Sequence, residues 1–84
     1  MFYVYIIENE NKDLYIGSTN NLERRISEHN SGVSLSTKNS QWEPVYYEAY
    51  KSEKDARNRE HQLKHHGQAK RWLKERIRNS LKQS

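Results

Sequence analysis

Arg25 and His29 stand four residues apart in a stretch with helical spacing, so they share one face. A guanidinium matches a phosphate in bidentate fashion, and an imidazole moves protons near neutral pH. Leu22 and Ile26 set the pair beside an apolar stripe. The plainer reading is a surface arginine next to a helix-terminal histidine that favours the negative end of the helix dipole. Glu60 is the second feature. It falls on the same helical face as Ala56 and Leu63, where a carboxylate is costly unless it is paired or holds a metal. A carboxylate ligand suits a hard cation such as Mg²⁺ or Mn²⁺; an ordinary salt bridge is the alternative. Tyr5 and Tyr15 are the third feature. They fall on two consecutive strand-like segments, and pairing would bring their rings close. Two strand tyrosines usually pack, but a phenol beside positive charge can also take part in proton transfer.

His61, His65 and His66 invite a metal-site reading. His61 and His65 share a helix side, yet the segment lacks the glutamate of an H-E-x-x-H pattern and shows no third ligand. A basic face near nucleic acid fits them better. The chain has no phosphate-binding glycine loop, no dinucleotide fingerprint and no serine-nucleophile elbow.

The elements that must position these residues follow from periodicity. Residues 2–8 alternate as a strand with both faces apolar, which predicts a central or doubly covered position. Residues 9–13 are turn-like, and residues 14–18 complete a hairpin in which Gly17 permits a close backbone approach. Asn20, with Glu23 three residues on, marks a helix start, and that helix stops near residues 30–32. Residues 31–42 are Ser-rich and aperiodic, and are expected to touch nucleic acid. Residues 43–50 read as a third strand with Pro44 at its start. Ser52 opens the next helix, and Gly67 is placed just past its end. A third helix carries Ala69, Trp72, Leu73, Ile77 and Leu81 as an apolar stripe. The expected architecture is one α+β domain over residues 1–84. It has a small, mainly antiparallel three-stranded sheet flanked by helices, in the order β-β-α-β-α-α.

Composition narrows the classes of function. With 84 residues the core is small, and two Trp, six Tyr and one Phe supply its bulk. No Cys means no disulfide and no thiolate metal site. No apolar run approaches a membrane span and no signal-peptide pattern opens the chain, so the expected compartment is cytoplasmic, with no membrane partner. The charge is lopsided. Residues 1–50 hold four Lys/Arg against seven Asp/Glu, and residues 51–84 hold eleven against four. A basic C-terminal part is the footprint of a nucleic-acid binder, or merely a solvated helical face. Lys38, Arg59, Lys64, His65, Lys70 and Arg71 are the expected nucleic-acid contacts.

Together these residues resemble the GIY-YIG nuclease family, in its compact excinuclease-subunit-like form. The two motifs stand here as Tyr3-Val4-Tyr5 and Tyr15-Ile16-Gly17, with Tyr3 where the family name places Gly. Residues 17–30 resemble the family's G-x-T-x-x-L-x-R-R-x-x-x-H-N helix, and residues 56–64 its glutamate-bearing helix. The resemblance covers essentially the whole chain. It implies a GIY-YIG fold and a metal-dependent DNA endonuclease, with a place in repair or recombination. By that resemblance Tyr5 is or assists the general base, Tyr15 orients water and phosphate, and Arg25 stabilises phosphoryl charge. His29 assists proton transfer, Glu60 holds the single Mg²⁺ or Mn²⁺ ion, and Gly17 lets the hairpin pack closely. Ser18 replaces a lysine, and Trp72 an asparagine, that some members carry.

The implied partner is branched, flap or damaged DNA rather than a fixed sequence, with RNA and a specificity-supplying protein partner left open. Two other classes compete. One is a non-catalytic nucleic-acid-binding module of the same fold; the other is a protein-interaction domain using Trp42, Tyr46 and Tyr47. Convergence of Tyr5, Tyr15, Arg25, His29 and Glu60 on one patch separates the first reading from both.

Overall fold

The computed structural model describes residues 1–32, 37 and 39–83. The order is β1 (Phe2–Asn9), β2 (Leu14–Thr19), α1 (Leu22–Asn30), β3 (Trp42–Tyr50), α2 (Glu53–His65) and α3 (Gly67–Arg76). The α+β architecture and element order agree with the expectation. The sheet runs β2-β1-β3 and is antiparallel throughout. β1 is therefore central, which accounts for its two apolar faces. Val4 and Ile6 join Ile16, Ala56, Leu63 and Leu73 on the face covered by α2 and α3. Tyr5 and Ile7 join Trp42, Tyr15, Leu22 and Ile26 on the face covered by α1. Each fully buried side chain of this size contributes roughly 1.5–3 kcal/mol.

Local chemistry sets the turns and caps. The buried Asn9 accepts the backbone N–H groups of Asn11 and Asp13 at 2.9 Å through its side-chain oxygen. This Asx turn lets Lys12 take a left-handed conformation (φ 68°) and closes the hairpin. α1 is capped by Asn21, whose side chain accepts the Arg24 N–H at 3.0 Å. That corrects the expected cap at Asn20, whose side chain instead accepts from the Arg24 guanidinium. Ser52 caps α2 as expected.

Two further expectations change. Gly67 opens α3 rather than following α2, because the chain turns at His66, which ends one helix and precedes the next. Trp72 is exposed while its neighbour Leu73 is buried; successive helical residues point about 100° apart, and Leu73 takes the core side. β3 begins at Trp42, and a register shift between Ile6 and Ile7 accommodates Pro44 on this edge strand. Among the described residues no helix is long and apolar enough to cross a membrane.

Candidate active site

Hairpin register brings the two tyrosines together. Tyr5 pairs with Gly17 and Ile7 with Tyr15, so Tyr5 and Tyr15 are diagonal neighbours on the face toward α1. The Tyr5 ring crosses over Gly17. A Cβ built at Gly17 would lie 2.5 Å from the Tyr5 hydroxyl oxygen and 2.7 Å from its Cζ. Glycine is required there by that ring, and the short third residue of the Tyr15-Ile16-Gly17 motif follows from packing alone.

α1 lays His29 against both rings. His29 is fully buried. Its Nε2 is 2.7 Å from the Tyr5 hydroxyl, and its ring meets the Tyr15 ring edge-on at 4.9 Å. Its Nδ1 is 2.7 Å from Thr37 Oγ1. The Trp42 indole N–H donates to the Thr37 carbonyl at 2.8 Å, and the Asn30 side chain exchanges hydrogen bonds with the Trp42 backbone at 2.9 and 2.7 Å. The end of α1, Thr37 and the start of β3 are thus one buried polar assembly.

The electrostatics follow from burial and from Arg25. Burial pushes the Tyr5 phenol up to about 12, while the nearby Arg25 guanidinium pulls in the opposite direction. Burial, reinforced by Arg25, holds the His29 imidazole below its ordinary value, so the ring is neutral at neutral pH. Arg25 itself donates to Glu28 at 3.0 Å and stays about a quarter exposed.

Glu60 approaches from α2. Ser18 donates to its Oε1 at 2.6 Å, and Lys64 Nζ lies 2.8 Å from its Oε2. The same ammonium sits over the Tyr15 ring, 5.6 Å from its centroid. Burial favours the neutral carboxyl, but the Lys64 and Ser18 hydrogen bonds outweigh it and hold Glu60 below the usual carboxylate range. Tyr5, Tyr15, Arg25, His29 and Glu60 therefore converge, with Lys64 and Ser18 joining Glu60 to the rest. Beside them opens a cavity of about 320 Å³ lined by Ser18, Asn20, Arg24, Arg25 and Arg57 among others. Three guanidiniums line this cleft with Glu53; Arg24 and Arg25 share Glu28, and Arg57 pairs with Glu53, so a net positive charge remains to favour a phosphate-bearing ligand.

Glu60 offers its carboxylate oxygens to a cation, with the Ser18 hydroxyl hydrogen-bonded to one of them. Among the described residues no group of three or more His, Cys or acidic side chains is arranged to hold a metal. Such a site fits a hard cation that keeps most of its shell as water and substrate oxygen, as Mg²⁺ does, and does not fit zinc.

The other expected contacts are dispersed. Arg59 is bound by Glu48 on β3. His65 stacks with His61 at 4.4 Å on the exposed side of α2. Lys70 and Arg71 line a shallow cavity along α3. Lys38 lies outside the described residues, as do residues 33–36 of the 31–42 segment expected to meet nucleic acid. The sequence reading missed Thr37 and Asn30 as site supports, and Arg24 and Arg57 as cleft residues. Arg24 and Arg57 had a signal, since each lies one or three residues from a named site residue; Thr37 had none.

Comparison with known proteins gives the family and the fold. The GIY-YIG catalytic domain family matches residues 1–78. A UPF0213 protein of Clostridium perfringens is 38% identical over 66 residues, 76% of this chain and 71% of that protein. A UPF0213 protein of Haloquadratum walsbyi is 34% identical, over 82% of this chain and 80% of its own length. The solution structure of a UPF0213 protein from Bacillus halodurans superimposes with a TM-score of 0.57 at 27% identity, covering 92% of this chain and 87% of that one.

Proposed function

The chain belongs to the GIY-YIG catalytic-domain family, and from that premise we propose that it is a divalent-metal-dependent endonuclease hydrolysing phosphodiester bonds in DNA. The observation that carries this reading is the buried Tyr5–His29 hydrogen bond with Arg25 and Tyr15 around it. A phenol of such high pKa is protonated at neutral pH. It serves as a base only if its own proton has a destination, and the neutral His29 imidazole at 2.7 Å is one.

Tyr5 takes the proton of the attacking water as its own moves toward His29. Tyr15 bounds the site on the α2 side and orients the water and the phosphate. Arg25 stabilises charge on the phosphoryl oxygens, with Arg24 and Arg57 holding flanking phosphates in the cleft. Glu60, kept ionised, would hold one Mg²⁺ or Mn²⁺ with Ser18 beside it. Bound there, the ion supplies Lewis-acid stabilisation to the leaving oxygen.

The guanidinium-lined cleft recognises backbone charge rather than base edges. Branched, flap or damaged DNA is accordingly the favoured substrate class, in repair or recombination. A non-catalytic nucleic-acid-binding module is the second reading, favoured by the hold of Lys64 on Glu60.

The test is cleavage of labelled linear, flap, splayed and branched DNA with Mg²⁺ or Mn²⁺, beside Glu60→Ala and Arg25→Ala. Wild-type cleavage that disappears in both variants while binding persists supports the enzyme. Binding with no cleavage by any form supports the module, and unchanged activity in a variant removes that residue from the site.

A further inference from the structure

His29 is the one fully buried imidazole that touches the reacting phenol, and each of its ring nitrogens has a partner at 2.7 Å. A neutral imidazole has one N–H and one lone pair, so the partners decide which nitrogen carries the proton. The Arg25 guanidinium lies near the Tyr5 oxygen and can only donate, which favours a phenol proton directed away from it. The phenol proton is then directed at His29 Nε2, which must accept, and the ring proton must be on Nδ1, where Thr37 Oγ1 receives it.

We infer that Thr37 is a positioning residue: its hydroxyl accepts from His29 Nδ1–H and so fixes the tautomer whose Nε2 can receive the Tyr5 proton. Thr37 is well placed for this. Its side chain is buried, and its carbonyl is anchored by the Trp42 indole N–H at 2.8 Å. Trp42 in turn is clamped by Asn30, the residue after His29. The acceptor is thereby held against the helix that carries the imidazole, although eight residues separate Thr37 from His29. This catalytic assignment rests on the nuclease reading, but the tautomer does not.

The proton balance is simple. Water gives a proton to the Tyr5 oxygen as its oxygen bonds to phosphorus, the bond from phosphorus to the leaving ester oxygen breaks, and the original phenol proton passes to Nε2. The ring becomes an imidazolium with both N–H groups hydrogen-bonded, to Tyr5 and to Thr37. Release of that proton restores the starting state.

The first measurement is the long-range proton–nitrogen spectrum of protein labelled with nitrogen-15 in histidine, with His29 assigned by its loss in His29→Gln. The expected result at neutral pH is an Nδ1–H tautomer in the wild type and in Thr37→Ser. Thr37→Val should lose that preference and slow single-turnover cleavage by about tenfold to a hundredfold at unchanged DNA affinity. Thr37→Ser should restore the rate. An Nε2–H tautomer in the wild type overturns the inference, as does Thr37→Val with wild-type tautomer and rate. If the wild type cuts no DNA yet shows the Nδ1–H tautomer, the positioning stands and the nuclease reading fails. Should Thr37→Val not fold, the wild-type spectrum and Thr37→Ser still decide.

Discussion

α2 carries one side of two carboxylate clusters, and they are built differently. Glu48 receives the forked Arg59 guanidinium at 3.0–3.2 Å and the hydroxyls of Tyr46 and Tyr50. Glu60 receives one hydroxyl and one ammonium. Both are partly buried, both have a cation on α2 and both have tyrosine nearby. A guanidinium fork and two phenols saturate the lone pairs of a carboxylate, whereas a point-charge ammonium leaves it able to exchange partners. The first arrangement ties β3 to α2. The second keeps a charged oxygen ready beside Tyr15. Saturation marks a structural carboxylate and an exchangeable partner marks a working one.

The sharpest way to break this contrast is to neutralise each carboxylate in turn. Glu60→Gln is expected to lower cleavage by about a thousandfold or more, about 4 kcal/mol of transition-state stabilisation, with little change in the thermal midpoint. Glu48→Gln should do the reverse. Removing charge from a partly exposed, multiply bonded carboxylate costs about 1–3 kcal/mol, or several degrees of midpoint in a domain this small. The pH dependence carries the same signature. Burial pushes the Glu48 carboxyl up, but Arg59 and the two phenols more than reverse this and hold it below its ordinary 4.5. Its contribution to stability is therefore complete above about pH 4.5 and is lost as pH falls through the lower folded-state value. Glu48→Gln should flatten that acid limb in melts recorded across pH. A stable, inactive Glu48→Gln would erase the distinction.

A smaller effect is expected from exchanging the cations. Lys64→Met should tighten Mn²⁺ binding to the DNA-free protein by about twofold to fivefold, the magnitude of a partly exposed ion pair. Lys64→Arg should weaken binding, because a fork on Glu60 would reproduce the Glu48 arrangement. Calorimetric titration of Mn²⁺ reads both. Equal affinity in all three forms would mean that Lys64 and the metal do not compete for Glu60.

The contrast is half legible in the sequence. Glu60 stood out because a carboxylate shared helical spacing with Ala56 and Leu63, and both of those are buried. Tyr5 and Tyr15 stood out because two short strands with a polar turn between them make a hairpin, though the diagonal register with Gly17 beneath Tyr5 needed the pairing itself. Glu48 gave no sign, since a glutamate in a strand reads as solvent-facing until its partners on another element are known. Thr37 was hidden for a related reason. Periodicity reports on neighbours within an element, and residues 31–42 have none, so a buried threonine there resembles any polar loop residue. The cap expected at Asn20 is an error of one position between two asparagines of equal propensity, which tertiary contact alone separates. The expected stripe includes Trp72 together with Leu73, although adjacent helical residues point about 100° apart and only Leu73 faces the core.

The smallest expected effect concerns the arginine that the saturated cluster consumes. Basic side chains that meet phosphate release counterions, so each contributes about one to the slope of log affinity against log salt. Lys70 and Arg71 lie on α3, and the ion pairs found among the described residues include neither of them. Replacing either with Ala should lower the slope by about one if the basic C-terminal face meets DNA. Arg59 has the same charge but its Nε and Nη2 are spent on Glu48 and its Nη1 on Gln62. Arg59→Ala should leave the slope unchanged while lowering the thermal midpoint much as Glu48→Gln does. Binding isotherms at a series of salt concentrations separate the two kinds of cation. A slope that falls in Arg59→Ala and not in Lys70→Ala would put the DNA on the β3 side of α2 and remove the structural role assigned to the Glu48 cluster.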